Sequence, residues 1–174
     1  MLLIVDLECT CCGNGEFPRE EMEIIEIGAV MYRGGVIRDG FTILARPVFN
    51  PILTDYCKDL TGISQEEVDT APLLEGAMNA FKEWFDRYSL DEWGSWGMFD
   101  HRIFNGLRPS LNVLRDVPHV NLKSRYQDHT GLRGRGVQKA LRQQNLEFEG
   151  AHHRAYPDAR NIARIMAAAE NMDQ

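Results

Sequence analysis

The sequence predicts an α/β domain, and three observations predict it. A short apolar run opens the chain and is followed by two β-rich stretches joined by a Gly-Gly turn. From residue 53 onward, apolar positions recur mostly at helical spacing. The 174 residues, 44% hydrophobic and 26% charged, suit a single domain spanning 1–174 with a core of ordinary size.

The run Met1-Leu2-Leu3-Ile4-Val5 is too brief for a normal helix and reads as a buried strand leading into Asp6-Leu7-Glu8. Strand side chains alternate faces, so Asp6 and Glu8 share one side. Two carboxylates at a buried strand end are unfavourable, because like charges repel and burial disfavours ionisation. A hard divalent cation between them reverses that balance, since it takes oxygen ligands. Residues 13–21 are a loop marked by Gly, Asn and Pro. Residues 22–32 and 36–45 form a hairpin about Gly34-Gly35, which makes three strands with the first. Glu26, inside an apolar stretch, reads as a sheet-edge charge or one paired with arginine rather than as a catalytic group.

Residues 53–64 read as a short helix closed by a glycine turn, and Ser64-Gln65-Glu66-Glu67 starts another with capping-box character. After Pro72, Leu73, Leu74, Ala77, Met78, Phe81, Trp84 and Phe85 mark the core stripe of a longer helix. Residues 91–97 suggest a short strand ending in glycine. A helix opens over 98–104, so Asp100 falls near a strand-to-helix junction, where backbone N–H groups favour negative charge. Helices near 122–127 and over 137–145 flank a basic turn at 131–136. From Lys123 to Arg142 six basic residues meet one acid, Asp128, which makes a candidate phosphate-contacting surface. The last helix begins around His153 or slightly later, and Asp158 lies five residues after His153. Both side chains reach one pocket if the first turn is irregular.

A formal net charge of −7 argues against a protein that coats nucleic acid, but not against an enzyme that grips a few nucleotides. No apolar run approaches the roughly 20 residues of a membrane span, and the opening run lacks the basic residues and length of a secretory signal. A cytoplasmic location is expected, with Cys9, Cys11, Cys12 and Cys57 as reduced thiols. The Cys9-x-Cys11-Cys12 cluster lacks the second ligand pair of a structural zinc site.

Collected in chain order, Asp6-Leu7-Glu8, Phe99-Asp100 opening a helix, and His153-x₄-Asp158 resemble the histidine-bearing branch of the DEDD exonucleases (DEDDh, DnaQ-like). Leu7-Glu8-Cys9-Thr10-Cys11, Gly94-Ser95-Trp96-Gly97 and His152-His153-Arg154-Ala155 look like the RNA-processing and KapD-like subgroup. So do residues 23–30, 50–54 and 60–63, so the resemblance runs over nearly the whole chain. Two departures stand out. Gly97 occupies the place where some members carry the third acid directly after Ser-Trp, which leaves Asp100 as the nearest candidate. Cys9 replaces the usual small residue after Glu8. His152 competes with His153, but His153 alone has the four-residue gap to Asp158.

The resemblance implies an RNase H-like fold, a mixed central sheet flanked by helices, and removal of nucleotides from the 3′ ends of single-stranded RNA or DNA. It implies two Mg²⁺ or Mn²⁺ ions about 4 Å apart, which stabilise charge on both attacking and leaving oxygens. In that scheme Asp6, Glu8 and Asp158 hold the ion beside the nucleophilic water, Asp6 bridges to the second ion, and Asp100 supports it. His153, with a reference pKa of roughly 6.5, accepts the water's proton. By the same resemblance the backbone around Cys9 and Thr10 holds the terminal sugar. Leu60 and Ile63 would belong to the base pocket, while Met98 and Phe99 stack or wedge. The chain is expected to work as a monomer or homodimer. Two other readings are a binding module without catalysis and a subunit active only in a larger assembly. The presence of all five active positions weighs against the first.

Overall fold

The computed structural model describes residues 1–13, 15 and 17–171; Asn14 and Glu16 of the expected loop lie outside the described residues. A mixed five-stranded sheet has the order β3-β2-β1-β4-β5. The strands are β1 (Leu2–Cys9), β2 (Ile24–Arg33), β3 (Val36–Leu44), β4 (Glu92–Ser95) and β5 (His119–Asn121). β1 runs antiparallel to β2 and β2 to β3, whereas β4 lies parallel to both β1 and β5. The β2–β3 turn falls on Gly34 and Gly35, both at positive φ (58° and 77°), the backbone that a two-residue hairpin demands. The expected mixed α/β architecture is therefore present. Helices are α1 (Asp55–Thr61), α2 (Gln65–Thr70), α3 (Leu74–Phe85), α4 (Phe99–Gly106), α5 (Leu122–Thr130), α6 (Val137–Gln143) and α7 (Ala155–Glu170).

Alternation along β1 divides the core in two. Leu3, Val5 and Leu7 pack with Phe81, Trp84 and Phe85 of α3 and with Phe104 of α4. Leu2 and Ile4 face the other way, onto Leu122 and Tyr126 of α5, Ala140 and Leu141 of α6, and the apolar face of α7. Asp6 and Glu8 continue the second series, so they emerge beneath α7. Local signals bound the helices, and the glycine turn and the capping box are the ones expected. Thr54 caps α1, Gly62 ends it at φ 69°, and Ser64 with Glu67 forms a reciprocal capping box at α2.

Several boundaries differ by a few residues, and one strand went unread. The strand β5 is only three residues long, too short for any alternation to show in the sequence. α6 ends at Gln143, two residues early. α7 starts at Ala155, slightly after His153 as expected, because His153 adopts φ 57° and cannot join the helix. Among the described residues no helix is long and apolar enough to cross a membrane.

Gly28 of β2 and Gly40 of β3 form the seat for α7. A Cβ on Gly28 would lie 2.1 Å from the carbonyl carbon of Ala155 and from the nitrogen of Tyr156; one on Gly40 would meet the Tyr156 ring at 2.5 Å. Gly28 is also the cross-strand partner of Asp6. Gly28→Val should therefore lift the helix start from the sheet, at about 1–3 kcal/mol of overpacking. Thermal denaturation should show a fall of about 3–10 °C at roughly 2–4 °C per kcal/mol. Gly106→Ala, where nothing lies within 4 Å, should leave the melting temperature unchanged or slightly raised.

Candidate active site

The site lies where the parallel strands β1 and β4 end, the usual ligand position in sheets of this kind. Asp6, Glu8 and Asp158 each present a carboxylate oxygen within 4.8 Å of the others. Oxygens sharing one ion at about 2.0–2.6 Å can be no more than about 5 Å apart, so this trio fits a hard cation. Asp100 enters from the first turn of α4. β4 pairs with Leu2, Leu3 and Ile4, so β1 overhangs it, and the N–H of Leu7 donates to Asp100 Oδ1 at 3.1 Å. The carboxylate thus occupies the place that strand pairing has vacated.

A cavity of about 700 Å³ joins all four acids with His152, His153, Trp96 and Phe99. Burial raises the pKa of all four acids, and repulsion from neighbouring carboxylates adds to the rise at Asp6 and Glu8. Burial first, then Asp100 and Asp158, push Asp6 well above the carboxylate range. Glu8 rises to about 8, through burial and then the charges of Asp158, Glu26 and Asp100, with Arg154 opposing. Asp100 rises to about 6 through burial, restrained by backbone N–H groups and the Ser95 hydroxyl. Asp158 is raised by burial and held back by His152 and His153. A positive charge placed among these acids would favour their ionised forms.

The two histidines stack with ring centroids 4.1 Å apart. His152 Nδ1 accepts from the backbone N–H of His153 at 2.8 Å and lies 3.6 Å from Asp158 Oδ2. His153 lines the cavity, and burial followed by the neighbouring His152 lowers its pKa, leaving a neutral ring near pH 7.

The expected substrate positions divide. Phe99 lines the cavity, and Met98 is exposed beside it. Cys9 packs in the core below the sheet, while the Thr10 hydroxyl accepts from the N–H of Glu23 at 2.9 Å. Ile63 is wholly buried among Ile25, Leu53, Cys57 and Val68, so its side chain packs in that core and does not line the cavity. Leu60 lines a smaller cavity of about 310 Å³ with Tyr56 and Met22. The four cysteines are free thiols.

Glu26 is paired with arginine, the expected alternative to catalysis. Its carboxylate takes a bidentate pair of bonds from Arg154 (2.8 and 3.1 Å) and one from the N–H of Ala155 at 2.9 Å. Arg154, from the His152-His153-Arg154-Ala155 motif, is engaged there. Sequence reading gave no role to Ser95 or His119. The Ser95 hydroxyl donates to the Gly97 carbonyl at 3.2 Å, lies 3.1 Å from His119 Nε2 and restrains the rise of the Asp100 pKa. The Gly-Ser-Trp-Gly motif flagged Ser95, whereas His119 sits in the unread strand β5.

The chain is also similar to known proteins over nearly its whole length. Residues 3–166 match the exonuclease family typified by RNase T, and the chain belongs to that family. It is 31% identical to the 3'-5' exonuclease eri1 of Schizosaccharomyces pombe over 206 residues, covering 99% of this chain and 69% of that protein. It is 26% identical to ERI1 exoribonuclease 2 of Xenopus laevis, covering 94% of this chain but 27% of that protein. The nuclease domain of 3'hExo, a DEDDh family member bound to rAMP, matches with TM-score 0.81 at 26% identity, over 95% of this chain and 89% of that one. The chain therefore spans well under two thirds of the length of several relatives that it matches, and the fold is the RNase H-like one expected.

The raised carboxylates fix how stability depends on pH. Unfolded carboxylates titrate near 4, whereas Glu8 titrates at about 8 and Asp100 at about 6 in the fold. Across that window the folded chain binds more protons than the unfolded chain, so stability falls as pH rises. The melting temperature of EDTA-treated protein should drop between about pH 5 and pH 8. Saturating Mg²⁺ should raise it more at pH 8 than at pH 5.5, since fewer protons must be displaced. A profile that stays level across this range would show that the acids are not held neutral.

Proposed function

We propose that the chain is a metal-dependent 3′→5′ exonuclease acting on single-stranded 3′ ends. One observation carries this reading: three carboxylates converge within 4.8 Å, and the same cavity holds a fourth acid and a neutral imidazole. Asp6, Glu8 and Asp158 would hold one Mg²⁺ or Mn²⁺, and Asp6 with Asp100 a second. Bound there, the ions would supply Lewis-acid stabilisation of charge on the scissile phosphate. His153 takes the proton of the attacking water, and its lowered pKa keeps the ring free to do so at neutral pH. Leu7 and Ser95 orient Asp100 before substrate arrives. Phe99 and Met98 offer apolar surface to a splayed base. The displaced 3′ oxygen stays with the shortened strand, and a nucleoside 5′-monophosphate leaves.

RNA is the favoured substrate class, because the relatives bear exoribonuclease names and a matched nuclease domain carries rAMP. Free thiols at all four cysteines suit a reducing, cytoplasmic setting. Digestion of 5′-labelled single-stranded RNA and DNA with Mg²⁺, Mn²⁺ or EDTA tests the reading. The expected result is a metal-dependent ladder shortening from the 3′ end, absent in Asp6→Ala and slowed about 10²- to 10⁴-fold in His153→Ala. Folded, metal-loaded wild type that cuts neither strand would favour a binding module or an obligate partner.

A further inference from the structure

The cavity that holds the acids is also lined by cations. Arg135, Lys139 and Arg142 line the same cavity as Asp6, Glu8 and Asp158 in a chain whose net charge is −7. Arg135 stands just before Gly136, the residue that caps α6, and the spacings of four and three keep the cations on one side. The other side of α6 is fixed, since Ala140 and Leu141 are buried in the core that α7 completes. Among the described residues none of these three cations forms an ion pair with a carboxylate; Arg142 donates to Gln138 at 3.3 Å. Arg125, Arg154 and Arg164, by contrast, are paired with Glu92, Glu26 and Glu149.

We propose that Arg135, Lys139 and Arg142 form a track for the phosphodiester backbone on the 5′ side of the scissile bond. This rests on the exonuclease reading above. The direction follows from covalent structure. A nucleotide leaving as a 5′-monophosphate carries only the scissile phosphate, which belongs at the carboxylate site. Any further phosphate that meets a cation must lie upstream. The track makes affinity grow with strand length and gives it an electrostatic, sequence-independent character.

Binding of 5′-fluorescein oligouridylates of two and ten nucleotides, with Ca²⁺ replacing Mg²⁺, tests the track by anisotropy across a fourfold range of NaCl. Each lost phosphate contact removes about 0.7 from the slope of log K against log salt for a single strand. Arg135→Gln/Lys139→Gln/Arg142→Gln should therefore lose about 2 from the ten-nucleotide slope, a roughly 20-fold smaller change over that range. The dinucleotide should be affected much less. Arg33→Gln/Arg38→Gln/Arg115→Gln removes as many exposed cations away from the cavity and should keep the wild-type slope. Equal loss in both triple variants, or none in the first, overturns the track. All six side chains are exposed, and melting curves check that both variants remain folded. Wild type that shows the steep slope but cuts no RNA in Mg²⁺ would keep the track and remove the exonuclease reading. Wild type that cuts RNA while the first variant keeps its slope would remove only the track.

Discussion

The active site depends on how the start of α7 is held against the sheet. Glu8 and Glu26 face each other across β1 and β2, a like-charge pair that is destabilising by itself. Arg154 resolves it by gripping Glu26 with two bonds, and Ala155 adds a third from the helix backbone. A buried ion pair of this sort adds little net stability, because desolvation offsets the attraction. Its effect here is positional. The N–H of Asp158 bonds the carbonyl of Arg154 one turn away, so fixing Arg154 to Glu26 aims Asp158 at Asp6 and Glu8. Gly28 removes the side chain that would otherwise hold that turn off the sheet.

Around this anchor the fold confines charge where an isolated protein would not place it. Four acids share one cavity, and burial raises them all. The structure compensates only in part, with the N–H of Leu7 and the hydroxyl of Ser95 on Asp100 and the histidines on Asp158. The remaining imbalance is what a divalent cation at this site would relieve. Position and chemistry are thus supplied by different parts of the chain: sheet and α7 for the acids, strand overhang for Asp100, and α6 for the cations.

Much of this was legible in the primary structure, for local reasons. Alternation in β1 put Asp6 and Glu8 on one side whatever packed above them. The hairpin glycines, the Thr54 and Ser64 caps and the α3 stripe are encoded within a few residues of where they act. What stayed hidden was long-range. Glu26 could be read as an arginine partner, yet which arginine depended on 128 residues of intervening chain. The core position of Ile63 and the contact of His119 with Ser95 have no local periodicity to reveal them.

The sequence by itself determined most element types, though not the three-residue β5, together with the shared face of the first two acids and the family motifs, because these follow from side-chain alternation, helical spacing and short fixed gaps. Tertiary structure alone decided that Asp100 bonds Leu7, that His153 precedes α7 in a left-handed conformation, and that a basic stretch far along the chain lines the same cavity as the acids. Those outcomes depend on which surfaces meet when β1 overhangs β4 and α7 settles on two glycines, and no local propensity carries that information.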